Sequence, residues 1–138
     1  MVGKITILFA LIICCISCKE DFDFNLEQNR DIYEKSVEEI LKYTPKEFDS
    51  YYIRRLESHK DAFPNSLIIL QDFDIECIAK YKDCIMFKHQ KKSSPFIRKE
   101  DVLLYQYTDS IMLYINTLEI DTTYDNKWSK GYIEDALF

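Results

Sequence analysis

Few side chains in this 138-residue chain can do chemistry, and their spacing limits what they can do. Histidine occurs twice, at His59 and His89. Neither stands beside a serine or cysteine motif, so no nucleophile–base pair is readable. Two histidines also make most zinc and non-heme iron sites hard to assemble. Asp72, Asp74 and Glu76 alternate along the chain. On a strand they would share one face, too far apart for tight acid–base coupling. Glu119, Asp121 and Asp125 carry oxygens of the kind calcium takes, but the glycine and spacing of a calcium loop are missing. Both acidic groups are expected to face solvent. The expectation is therefore no catalytic residue, no metal ligand and no cofactor, with a small hydrolase as the least favoured alternative.

Glycine occurs only at Gly3 and Gly131, which excludes glycine-loop phosphate cradles, since these need several positions where backbone replaces side chain. The net charge is −6 and the pI about 4.9. No nucleic-acid partner is expected from such a balance. Lys88, His89, Lys91, Lys92, Arg98 and Lys99 do form a basic stretch free of acids. It reads as a solvated hairpin end, or as a patch for an acidic partner or lipid phosphates. Tyrosine occurs ten times. Tyr105, Tyr107, Tyr114 and Trp128 are the best candidates for a binding surface, because such side chains offer rigid area with a polar tip. They suit strands and cores equally well.

The N-terminus speaks more clearly. A basic head, Met1–Lys4, precedes a 12-residue run, Ile5–Ile16, that is apolar except for Thr6, and Ser17 stands just before Cys18. A spanning helix needs about 20 apolar residues. This shorter run has the charged head, apolar middle and small-residue end of a secretory signal. Cys15-Ile16-Ser17-Cys18 resembles the lipobox of a bacterial lipoprotein precursor. It matches at the small −1 residue, the −2 residue and the +1 cysteine, and departs at −3, where leucine is usual. The resemblance implies a diacylglyceryl thioether on Cys18 and cleavage before it. Lys19-Glu20-Asp21 is similar to the signal that sends some Bacteroidota lipoproteins to the outer face of the outer membrane. An ordinary acidic tether is the competing reading of those three residues. For the whole segment, the alternatives are a signal anchor or a plain secreted protein. Loss of residues 1–17 would leave a mature net charge of −7.

These readings divide the chain into a signal peptide (1–17), a lipidated tether (18–25) and one globular domain (26–138). The length allows a single core. A hydrophobic share of 47% excludes a disordered chain. A first helix is predicted from about Asn25 to Tyr43, with an Asn25–Gln28 capping box and a stripe of Tyr33, Val37, Ile40 and Leu41. A second is predicted to start at Thr44-Pro45, carry Phe48, Tyr52 and Leu56, and end before Pro64. Ser66–Leu70 reads as a central strand. Ile75–Lys80 is predicted to pair with Cys84–His89 across Tyr81-Lys82-Asp83, with Cys77 opposite Phe87, Ala79 opposite Ile85 and Glu76 opposite Lys88. That register puts Cys77 and Cys84 on opposite faces. It argues against a disulfide that export would otherwise favour. Val102–Tyr107 is predicted to pair with Ile111–Asn116, and Trp128–Ile133 to close the sheet. The expected class is α+β: two N-terminal helices, then a mostly antiparallel sheet of five to six strands. The expected function is that of a cell-envelope lipoprotein on the outer membrane, facing the periplasm or the surface. Its acidic domain would bind an envelope protein or act as an accessory subunit. The runner-up is a periplasmic inhibitor or immunity-type protein.

Overall fold

The computed structural model of the chain describes residues 22–43, 48–92, 97–108 and 118–136. Cys18, Lys19, Glu20, Asp21 and Tyr114 lie outside the described residues. The elements are α1 (Leu26–Tyr43), β1 (Asp49–Tyr51), α2 (Ile53–Glu57), α3 (Pro64–Asp72), β2 (Cys77–Lys80), β3 (Cys84–Lys92), β4 (Ile97–Gln106), β5 (Leu118–Thr123) and β6 (Trp128–Ala136). The strands form one six-stranded sheet in the order β1-β2-β3-β4-β6-β5. Every neighbouring pair is antiparallel. The α+β class stands.

The helices cover one face of the sheet. Tyr33, Val37 and Ile40 of α1 form a buried cluster with Leu67 and Ile69 of α3 and with Ile78, Ile85, Phe87, Leu103 and Trp128 of the sheet. Strand periodicity puts the alternate residues Cys84, Met86, Val102, Leu104, Leu118 and Ile133 into a second buried cluster. Among the described residues no helix contributes to that second cluster. The Asn25–Gln28 capping box does not form. Asn25 instead takes a φ of 52°, and its side-chain amide donates to the Asp23 carbonyl. Phe22 and Phe24, expected in the tether, pack against the fold. Phe24 is 2% exposed, and its carbonyl accepts a bond of 2.8 Å from the Tyr33 hydroxyl.

Four expected elements differ from those found. The predicted second helix is replaced, in its described part, by strand β1 and the short α2. Of its expected apolar face only Leu56 is buried, while Phe48 and Tyr52 are exposed. Ser66–Leu70 is helical, as part of α3. Pro64 opens α3, where its fixed φ suits a first turn, and Ile68 points outward while Ser66, Leu67, Ile69 and Leu70 are buried. Phe63 at the N-cap makes no side-chain cap bond. The cap comes from α1. Glu39 Oε1 accepts from the Asn65 amide (2.8 Å) and Nδ2 (2.7 Å), and Oε2 from the Ser66 amide (2.9 Å) and Oγ (2.7 Å).

The β2–β3 hairpin exists, but its register is one residue away from the expected one. Cys77 lies opposite Lys88, Ile78 opposite Phe87 and Ala79 opposite Met86. The Tyr81 amide donates to the Cys84 carbonyl at 2.8 Å, which leaves a two-residue loop, Lys82-Asp83, instead of three. A one-residue slip exchanges the faces of a strand. Here it lets Ile78, rather than Cys77 and Ala79, meet Phe87 under the helices. The predicted pairing of Val102–Tyr107 with Ile111–Asn116 is also replaced. β4 has β3 along one edge and β6 along the other, with Leu103 opposite Lys130 and Tyr105 opposite Trp128, so neither edge is open. Residues 111–116 lie outside the described residues. The expected last strand at Trp128–Ile133 is found, extended to Ala136.

Candidate functional site

The residues named for chemistry are dispersed by the fold. His89 is held as a structural ring: it stacks on Phe22 at 3.7 Å, and its Nδ1 donates to the Asp74 carbonyl at 2.7 Å. A carbonyl only accepts, so Nδ1 carries the hydrogen. Asp101, 1% exposed, accepts from the Phe22 amide at 3.3 Å beside this ring. His59 is exposed, near the Tyr43 ring. Asp72 ends α3 and Asp74 has a φ of 57°, so the three alternating acids do not line one strand. Glu119 accepts from the Tyr132 hydroxyl at 2.7 Å, whereas Asp125 lies in the β5–β6 turn. The basic stretch occupies the β3–β4 hairpin, where Lys91 is opposite Lys99 and Lys92 opposite Arg98. β6 brings Glu134 and Asp135 opposite Lys99 and Arg98 on the other side.

Cys77 and Cys84 are both free and buried. They share a face, contrary to expectation. Cys77 is level with Lys88, four strand residues from Cys84, a separation of about 13 Å. A disulfide needs Cα atoms within about 7 Å. Burial, reinforced by Asp83, pushes the Cys84 thiol up to about 12, and burial also raises Cys77. An unfolded thiol ionises first as the pH rises, so the unfolded chain holds fewer protons than the native one above its ordinary value. The thiols' contribution is therefore intact below about pH 9 and is lost toward pH 12. Denaturant midpoints at pH 8 and pH 10 should show the lower stability at pH 10. At pH 8 the native protein should resist alkylation at both cysteines, which should react once it is denatured.

One cleft brings candidate residues together. It has a volume of about 290 Å³ and lies between α1, the end of β4 and the β5–β6 turn. Arg30, Glu34, Val37, Glu38 and Leu41 of α1 form one wall. Residues 30, 34, 38 and 41 recur at helical spacing, which puts them on one face. Tyr105 and Trp128 form the sheet side, with ring centroids 4.8 Å apart. Asp125, Asn126 and Lys127 close the third side. The turn is built by Asp125: Oδ1 accepts from the amides of Lys127 and Trp128, both at 2.8 Å, and Oδ2 accepts from Arg30 at 2.8 Å. Burial acts to raise the Asp125 carboxyl, but these donors prevail and hold it below the usual range. Arg30 also meets Glu27 at 3.2 Å.

Two of the four expected surface aromatics, Tyr105 and Trp128, therefore share a site. Tyr107 does not line it, and its hydroxyl donates to the Tyr81 carbonyl. Trp128 is 1% exposed, so it is a wall and not a free surface. Its indole Nε1 is buried and has no acceptor among the described residues. Sequence reasoning missed Arg30, Glu34 and Glu38. The available signal was their four-residue spacing on α1. Compared with known proteins, the chain matches no family model, no curated protein and no solved structure.

Proposed function

We propose that the chain is a cell-envelope lipoprotein, anchored through Cys18, whose acidic domain acts by binding an envelope protein in the cleft between α1 and the β5–β6 turn. One observation carries the anchor: the signal-like run Ile5–Ile16 followed by Cys15-Ile16-Ser17-Cys18. Lys19-Glu20-Asp21 supports display on the outer face of the outer membrane. Two or more acyl chains hold a protein stably where one holds only marginally, at about 0.8 kcal/mol per buried methylene. The binding role is supported by the cleft, which joins aromatic and charged side chains from a helix, a strand and a turn. The described residues bring no nucleophile, base and orienting group together there. The inhibitor or immunity-type reading is favoured by the exposed carboxylates of Glu34 and Glu38 in that cleft, which suit a basic target.

The full chain should incorporate labelled palmitate. Cys18→Ser should abolish the label and release the protein from the envelope pellet. A Cys18→Ser protein that is still processed and still pellets would overturn the anchor. A pull-down from solubilised envelope should retain a stoichiometric partner, and Asn126→Arg, which fills the cleft mouth, should lose it. Capture that is indifferent to Asn126→Arg would remove the cleft from the assignment.

A further inference from the structure

The two outer strands of the sheet differ in what meets their backbone. At β1 side chains occupy it. The Ser50 amide donates to Asp49 Oδ1 at 3.0 Å, and the Ser50 carbonyl accepts from Arg55 at 2.8 Å. Arg55 is fixed there by both oxygens of Asp49, at 2.5 and 3.0 Å, and lies over the Tyr51 ring at 4.7 Å. The donor and acceptor that a further strand would need in the middle of β1 are thus taken. β5 is at the other end of the strand order. It pairs with β6 on one side, and among the described residues no hydrogen bond meets the backbone of its other side. Glu119, Ile120, Asp121, Thr122 and Thr123 are all exposed, Ile120 by 39%. The Glu119 carbonyl is turned in toward Gly131, so by strand alternation those of Leu118 and Ile120 are turned out. A row of bare backbone groups is a template for another strand.

The side chains select what can add. Glu119 and Asp121 are the charged residues of β5, and neither makes an ion pair among the described residues. A second copy of the chain is a poor occupant. Two β5 strands pairing about a two-fold axis at Glu119, Ile120 or Asp121 set carboxylates directly opposite one another, which is destabilising. A strand with cations at those positions gains from the same charges. We infer that β5 takes up an extended, lysine- or arginine-bearing segment of a partner protein as a seventh strand. Main-chain hydrogen bonds supply the affinity, and Glu119 and Asp121 select the partner. The register shift between Ile120 and Thr122 interrupts the edge, so the added segment is short. This strand addition does not use the cleft.

The experiment titrates the full chain, in non-ionic detergent micelles, with three peptides. These are acetyl-Thr-Lys-Val-Lys-Val-Thr-amide, its glutamate counterpart, and a fully N-methylated lysine peptide that cannot donate from its backbone. The lysine peptide should shift the amide resonances of residues 118–123 and slow exchange of the amides turned outward. The N-methylated peptide should leave them unmoved. The glutamate peptide should bind about fivefold more weakly, the value of roughly one cross-strand charge pair. Asp121→Lys should weaken the lysine peptide and tighten the glutamate peptide by about the same factor, an inversion that mere damage to β5 cannot give. It changes an exposed side chain, and its melting curve checks that it folds. No shift at residues 118–123 with the lysine peptide, or an equal shift with the N-methylated one, would overturn strand addition. Equal binding of the lysine and glutamate peptides would overturn the basic partner. A concentration-dependent dimer that protects residues 118–123 without peptide would give the edge to a second copy and sink the proposal. Peptide shifts at Arg30 and Tyr105 in place of β5 would reject it in favour of the cleft, so the two readings fail separately.

Discussion

Gly131→Ala should destabilise the protein by roughly 3 kcal/mol, the upper range for forcing atoms into a packed position. A Cβ at this position would lie 2.1 Å from the Glu119 carbonyl oxygen, 3.0 Å from its carbon and 3.1 Å from Ile120 Cα. All three are backbone atoms, so no side chain can swing aside. Gly131 is opposite Ile120, and the register shifts just beyond, between Ile120 and Thr122. A glycine inside a strand marks such a close approach or bulge. β6 would have to draw away from β5. Because β5 lies at one end of the strand order, and only Leu118 of it is buried, the damage should begin as a local peeling of that edge. Denaturant titration measures the loss, and hydrogen exchange should place the earliest opening at residues 118–123. Glu134→Ala, an exposed change on the same strand, should stay within about 0.5 kcal/mol. An unchanged midpoint for Gly131→Ala would mean that β5 and β6 do not approach this closely.

The second large effect is expected at Glu39. Its carboxylate receives four hydrogen bonds at the start of α3, and the Ser66 hydroxyl is also 2.7 Å from the Ser36 hydroxyl. Both serines are fully buried. Glu39→Ala strands two helix-end amides and takes the acceptor from the buried Ser66 hydroxyl. Loss of an ordinary cap costs about 1 kcal/mol, and unmatched buried groups add more, for a total of roughly 3 kcal/mol. In a domain of this size that lowers the melting temperature by about 10–15 °C. Glu39→Gln keeps one acceptor and should fall near the midpoint between wild type and Glu39→Ala. Equal melting of all three proteins would show that α3 is capped by other means.

These two residues also show why the fold was only partly legible from its sequence. The α1 stripe of Tyr33, Val37 and Ile40 and the final strand at Trp128 follow local periodicity, and both appear where expected. Ser66–Leu70 does not carry its own answer, because a short continuous apolar run suits a buried strand or a buried helix. What decides it is Pro64 together with a carboxylate 26 residues away from Asn65. The hairpin register turned on whether Tyr81 belongs to the loop or to the strands. The alternation there is imperfect, since Cys77, Ile78 and Ala79 can each be buried. The pairing of β4 with β6 skips an intervening segment and β5, a long-range choice that no local pattern reveals. The cleft was half visible. Tyr105 and Trp128 were named for their chemistry, but Glu34 and Glu38 read as the solvated side of an amphipathic helix, and only the fold brings the β5–β6 turn across the cleft from them.

The clamping of Phe22 beneath His89 and Asp101 has a mechanical meaning. Three residues separate Cys18 from that clamp. Fully extended, the connection spans at most about 14 Å. On the anchored reading, the domain is then less a kite on a string than a flag stitched to its pole. It cannot sweep a wide volume in search of a partner, so whatever it recognises must already reside at, or be delivered to, the same bilayer. Inserting a long flexible spacer before Phe22 would lift that restriction without touching the domain.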